Sequence, residues 1–307
     1  LVEKDNKKRS WESNKVVQRF IKRHRTLGID GPAEQIYTHS HEGEWVSLSI
    51  DRFYQDNLIT EVLYNVKSGK EATVYCCRGT SKSGYSLLAA KVYRPRIFRS
   101  LCNDADYTNG RWVKHKRELR AMDNKSTYGR QSRFEQWIHN EFLTHQLAHE
   151  AGVFCPKPIA IAGNSILMEF VGDEQRSAPL LRNVRLEEGK KKPLFKKIIK
   201  AIDKLLSCNR VHGDLSPFNI LYWQDKAQLI DFAQSVDPRF NPLAYKLFRR
   251  DVDRVCEFFG MESDSEHVAN SIWTKHLFPV EGMPIYEFQD YLYQEYDWSS
   301  DGEFGLN

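Results

Sequence analysis

The chain has 307 residues and a mass of 35.9 kDa, with 41% hydrophobic and 28% charged residues. That length suits one large domain or two unequal lobes burying roughly 75% of the unfolded chain's surface, and the hydrophobic fraction excludes disorder throughout. No uncharged apolar run approaches the ~20 residues of a membrane span, and no secretory signal is expected from the opening residues. Cys76, Cys77, Cys102, Cys155, Cys208 and Cys256 form neither a CxxC pair nor a His/Cys ligand spacing. A zinc site or disulfide framework is therefore not expected, and reduced thiols in a cytoplasmic protein are.

The net charge of +4 is unevenly spread. Residues 1–28 hold nine Lys/Arg against three Asp/Glu, and residues 94–133 hold eleven against four, whereas 276–307 has seven acids and no Lys or Arg. Basic segments on a mildly acidic body suit an anionic partner such as nucleic acid or phosphates, although charge runs alone are more often solvated surfaces.

In chain order, residues 10–26 read as a basic helix with Val16, Val17, Phe20 and Ile21 on one stripe. Residues 28–50 read as a connector. EVLYNV (61–66), ATVYCC (72–77) and SLLAAKVY (86–93) then predict a three-stranded antiparallel meander, with turns at KSGKE and GTSKSG. Residues 96–132 lack sustained periodicity, as long functional or disordered loops do. A helix is expected over 133–150, strands at PIAIAG (158–163) and SILMEFVG (165–172), and a Lys-rich amphipathic helix over 193–208. Strands, helix, strands and then mostly helices predict a two-lobed α+β protein.

The densest chemical signal is VHGDLSPFNILYWQDKAQLIDF, residues 211–232. It reads as loop, strand, turn, strand, and a tight hairpin would set Asn219 beside Asp231. One amide oxygen and one carboxylate suit Mg²⁺, which takes only one or two protein carboxylates and completes its shell with water and phosphate. Asp214 is left to orient or deprotonate an attacking hydroxyl. Upstream, Lys91 ends the apolar run LLAAK and needs an anion. Glu141, four residues after Trp137 and three after Ile138, lies on the apolar side of its helix and needs a cation. Each is the natural partner of the other. The turn Ser68-Gly69-Lys70-Glu71-Ala72 offers backbone N–H groups and a lysine to phosphates, although its single glycine matches no standard phosphate-loop pattern.

Together these residues resemble the protein-kinase fold. More closely the sequence resembles the RIO family of atypical kinases, nearest its type 1 branch, through SGKEATVY (68–75), AAKVYR (89–94), LMEFVG (167–172), APLLRNV (178–184), HGDLSPFN (212–219) and LIDFAQSVD (229–237). The resemblance implies an antiparallel-sheet N-lobe over 51–172 with a basic insertion at 96–132, and a mainly helical C-lobe over 173–260. Before them stands a basic extension (1–50), and after them an acidic helical one (261–307). It implies that Lys91 binds ATP phosphates and pairs with Glu141, that Ser68 and Lys70 belong to the phosphate turn, and that the backbone around Glu169 and Val171 receives adenine with Met168 behind it. Asp214 would accept the proton. Asn219 and Asp231 would hold Mg²⁺, or Mn²⁺ in its place, and Asp231 is also a candidate phosphoacceptor.

Gly213 stands where ordinary protein kinases carry the arginine of HRD, Ala233 replaces the last glycine of DFG, and no APE-like segment follows. Activation and peptide-gripping segments are thus reduced. The implied activity is ATP- and Mg²⁺-dependent serine/threonine phosphorylation, including autophosphorylation, with the protein substrate open. Small-molecule phosphotransferases of the aminoglycoside or choline kinase type share HGDxxxxN followed by a metal Asp. An RNA- or ribosome-associated ATPase switch, contacting RNA through 1–28 and 94–133, is the other alternative.

Overall fold

The computed structural model describes residues 41–69, 71–94 and 127–276. The basic helix at 10–26, Lys70, Cys102, most of the basic insertion and the acidic tail after His276 lie outside the described residues.

The expected meander is there and is widened by two more strands. Strands β1 (Ile59–Ser68), β2 (Ala72–Gly79), β3 (Leu87–Tyr93), β4 (Pro158–Ala162) and β5 (Ser165–Glu169) make one antiparallel sheet in the order β1-β2-β3-β5-β4. Strand β3 is central, with Lys91 registered between Val74 on β2 and Ile166 on β5. Because side chains alternate along a strand, Leu88, Ala90 and Val92 turn to one face, and Ala89, Lys91 and Tyr93 to the other.

The first face is covered by a helix read in the sequence as connector. Helix α1 spans His41–Gln55 and packs on β1, β3, β4 and β5, burying Val46, Ile50 and Phe53. Those three recur at helical spacing. The N-lobe therefore begins at least ten residues before the expected boundary at 51. The Lys91 face receives helix α2, Thr127–Glu150, which starts six residues earlier than its apolar periodicity showed. Tyr93 meets Trp137 edge-on at 5.0 Å. The strand expected over 165–172 ends at Glu169, where Phe170-Val171-Gly172 leave the sheet.

The C-lobe core is formed by α3 (Glu188–Ser207), α4 (Ala244–Phe259), α5 (Ser265–Trp273) and the hairpin β6 (Ile220–Trp223)–β7 (Lys226–Leu229). Helix α3 starts before Pro193, where the sequence placed its first residue. A proline there removes one intrahelical donor without ending the helix. Helix α5 also corrects the expected boundary at 260. Its Ala269, Ile272 and Trp273 belong to the C-lobe core, and Trp273 packs against Tyr245 and Phe248 at 5.1 Å each. Among the described residues no helix is long and apolar enough to cross a membrane.

Phe53 and Trp273 are both fully enclosed, so Phe53→Ala and Trp273→Ala should each destabilise the protein by ~3–5 kcal/mol. Urea unfolding followed by tryptophan fluorescence and circular dichroism checks both, and a small effect would mean that α1 or α5 only decorates its lobe.

Candidate active site

The site lies where α2, β3 and the hairpin of the C-lobe converge. Lys91 Nζ donates to Glu141 Oε1 at 2.6 Å and to Asp231 Oδ1 at 2.9 Å, joining N-lobe sheet, N-lobe helix and C-lobe in one ion cluster. Glu141 is 3% exposed and Lys91 13%, whereas Asp231 keeps 42% of its side chain open to the cleft. Tyr93, two residues beyond Lys91 on the same strand face, donates its hydroxyl to Glu141 Oε2, so both carboxylate oxygens are engaged.

The electrostatics follow from this geometry. Burial alone would lower the Lys91 ammonium, but Asp231 and Glu141 reverse that and hold it well above its ordinary value. Burial pushes the Glu141 carboxyl up, and Lys91 offsets this only in part. For Asp231 the order of outcome is reversed: burial raises it, yet Lys91, by charge and hydrogen bond, holds it below the ordinary carboxylate value. Asp231 is thereby held as an anion beside Lys91.

The hairpin sets Asn219 against Asp231 as the spacing predicts. Ile220 pairs with Leu229, and the Ile230 N–H donates to the Asn219 carbonyl at 3.0 Å. The Asn219 amide nitrogen donates to the Asp214 carbonyl at 2.8 Å and to Asp214 Oδ2 at 3.3 Å. That orientation leaves its oxygen, Oδ1, as a neutral acceptor facing away from Asp214. Asp231 itself is left-handed, with φ 70° and ψ 68°, a conformation Asp tolerates better than most residues. One anionic and one amide oxygen would suit an Mg²⁺ that completes its shell on phosphate and water. Among the described residues no group of three or more His, Cys, Asp or Glu is arranged for a metal.

Other expected residues fall around this centre. Ser68 ends β1, where its Oγ accepts from Asn65 and the following turn is closed by Gly69 N–H to the Ala72 carbonyl at 2.9 Å. Met168 faces Ala89 across β3–β5 and packs with Cys76, Ala89 and Phe170, an apolar surface suited to a flat base. The Glu169 N–H is already committed to the Lys157 carbonyl at 2.8 Å, and the Val171 carbonyl accepts from Ala178 N–H at 2.8 Å. Gly172 follows with φ 146°, where a Cβ would meet the Arg176 and Ser177 backbone, so this bend requires glycine.

The catalytic loop rests on residues that the sequence reading missed. Asp251 on α4, nearly enclosed, accepts from Gly213 N–H and Leu215 N–H at 2.8 Å each, fixing Asp214 between them. Burial pushes its carboxyl up to about 7, against the two N–H bonds. Its position, three residues after Phe248 and four before Val255, carried the same inward-acid signal as Glu141. Gly213 has φ 79°, which explains why no arginine occupies that position. A guanidinium arrives there from α4 instead, since Arg250 Nη2 donates to the Gly213 carbonyl. Arg254 Nη1 donates to Asp214 Oδ1 at 2.8 Å, a contact with no signature in the sequence.

A sheet lysine answering a helix glutamate above a catalytic loop and a metal-type hairpin, between two lobes, defines the protein-kinase-like fold class. Within that class the chain belongs to the RIO family: the RIO domain model matches residues 73–271. The chain is 29% identical over 219 residues to Serine/threonine-protein kinase RIO1 of Caenorhabditis elegans, covering 69% of this chain and 40% of that protein. It is 31% identical over 208 residues to its human namesake, covering 67% and 34%. It is also 31% identical over 142 residues to the RIO-type kinase Rio1 of Thermoplasma acidophilum, covering 45% and 73%. The chain thus spans 40% or less of the two animal relatives' length. In fold it resembles the Rio2 kinase of Chaetomium thermophilum, with TM-score 0.53 and 18% identity over 91% of this chain and 86% of that one. The ADP/Mg²⁺-phosphoaspartate complex of that kinase gives TM-score 0.52 and 19% identity over 84% and 77%.

Beneath the cluster, the Phe232 ring lies between two enclosed histidines, His145 at 5.1 Å and His212 at 5.2 Å. Burial pushes His145 down to about 4, against ~6.5 in an unfolded chain. The unfolded state then binds the proton first, so stability is lost as pH falls from about 6.5 to about 4, by roughly 3 kcal/mol, and no further below. His145→Leu should remove that part. Its unfolding free energy, measured in urea at pH 7 and pH 4, should fall less over this interval than that of the wild type; an equal fall would contradict the buried neutral histidine.

Proposed function

We propose that the chain is an ATP- and Mg²⁺-dependent serine/threonine protein kinase of RIO type, transferring the γ-phosphoryl group to a protein hydroxyl, its own included. The observation that carries this reading is the Lys91–Glu141–Asp231 cluster, with Asp231 set by the hairpin beside Asn219, which in turn hydrogen-bonds Asp214. Lys91, held by Glu141, neutralises ATP phosphate charge, aided by the turn at Ser68 and Lys70. The adenine lies along the strand end at Met168, Glu169 and Val171, whose N–H has no partner among the described residues. Asp231 and the free Asn219 oxygen hold Mg²⁺, or Mn²⁺ in its place. When bound, the metal supplies charge neutralisation on the phosphates.

Asp214 aligns the acceptor hydroxyl and takes its proton. Phosphoryl transfer is catalysed mainly by positioning and electrostatics, so this fixed constellation is the catalyst. Further partners are carried by charge alone: the basic segments 1–28 and 94–133 suit the phosphates of RNA or a ribosomal particle. The free cysteines suit a reducing cytoplasm.

Incubation with γ-labelled ATP and Mg²⁺ tests the reading. Acid-stable label on Ser or Thr is expected, reduced at least ~100-fold in both Asp214→Ala and Asp231→Asn. Hydroxylamine-labile label on Asp231, with little on Ser or Thr, would instead favour an ATPase cycle through a phosphoaspartate, the species named for the Chaetomium relative. No label and no ATP turnover would end both.

A further inference from the structure

Arg254 has no part in the chemistry above, yet it touches the residue that carries it. Its bond to Asp214 is the one ion pair it makes among the described residues. A guanidinium has five N–H donors in a planar fork, so an edge of Arg254 is left over. Of the acids of α4, Asp253 pairs with Arg249 at 3.1 Å, Asp251 is enclosed beneath the Gly213 and Leu215 N–H groups, and Glu257 is exposed and forms no ion pair with Arg254 among the described residues. Arg250, one turn before Arg254, binds the Gly213 carbonyl, so two guanidiniums of one helix bracket the catalytic loop. The Arg254 and Asp214 side chains are 37% and 46% exposed, which leaves the pair open to an incoming acceptor. Asn219 engages Asp214 through Oδ2, and Arg254 sits on Oδ1, away from that amide.

An exposed ion pair of this kind contributes little to stability. A guanidinium fork is, however, well matched to a carboxylate or phosphate. Resting on the kinase reading, we propose that Arg254 is an acceptor-binding residue that selects hydroxyls flanked by an anionic group, a carboxylate or a phosphate. The anion takes the unused edge of the fork and places the neighbouring hydroxyl against Asp214.

The test is equilibrium binding of three fluorescent peptides to the full chain with Mg²⁺ and a nonhydrolysable ATP analogue, read by anisotropy. Each peptide centres on one Ser, flanked by Glu, by phosphoserine or by Gln. The wild type should bind the Glu or the phosphoserine peptide at least about tenfold tighter than the Gln peptide, as a charge-assisted hydrogen bond provides. The tighter of the two identifies the anion. Arg254→Gln should bring the ratio to about one, Arg254→Lys should restore part of it, and Arg249→Gln on the same helix should leave it unchanged. Equal wild-type affinities, or a ratio unaltered in Arg254→Gln, would overturn the proposal. Matching kcat/KM measurements separate the two readings. Anion-selective binding without phosphorylation removes the kinase reading and leaves the Arg254 site standing, whereas phosphorylation without anion preference removes Arg254 alone.

Discussion

A lysine ammonium in a mostly closed site needs negative charge beside it, and the rest of this structure is arranged around supplying that charge to Lys91. Desolvating an ammonium is unfavourable by several kcal/mol unless it is paired and hydrogen-bonded. Here two carboxylates meet it, one from each lobe. Glu141 is deeply enclosed and has its second oxygen engaged by Tyr93, so it is a fixed partner. Asp231 is partly open and adopts a left-handed backbone, so it is the partner with an exposed oxygen. One pair builds the site, and the other connects it to the cleft.

This requirement accounts for features distant from the lysine. Helix α1 packs on the outer face of the sheet, opposite the face from which β3 presents Lys91. Helix α2 carries Glu141 to the inner face and His145, one turn on, to Phe232, tying the helix to the residue that follows Asp231. Below, Asp251 of α4 holds the loop on both sides of Asp214 through backbone N–H groups alone. The Asp214 loop thus owes its shape to a helix some forty residues downstream.

Much of the centre was legible in the sequence because inward-facing charges stand out. Glu141 on the apolar side of its helix and Lys91 at the end of an apolar strand each demanded a partner, and the 211–232 pattern specified a hairpin that could hardly place Asn219 and Asp231 apart. Helix α1 was not legible as a helix because His, Glu, Gly and Ser dilute its apolar stripe, and only the sheet it covers gives Val46, Ile50 and Phe53 their meaning. Asp251, between Phe248 and Val255 on the buried side of α4, bears the same inward-acid signal as Glu141. Arg254 had no such signal: a charged residue on a helix reads as solvated surface until the fold brings Asp214 to it.

On the proposed kinase function, Glu141 serves the nucleotide only through Lys91. The direct measurement is Mg²⁺-ATP affinity by calorimetry for Lys91→Met, Glu141→Gln and the double variant. If Glu141 acts through the lysine, each single change weakens binding by about tenfold or more, and the double variant is no weaker than the worse single one. Losses that add in the double variant would show two independent contributions and contradict the claim.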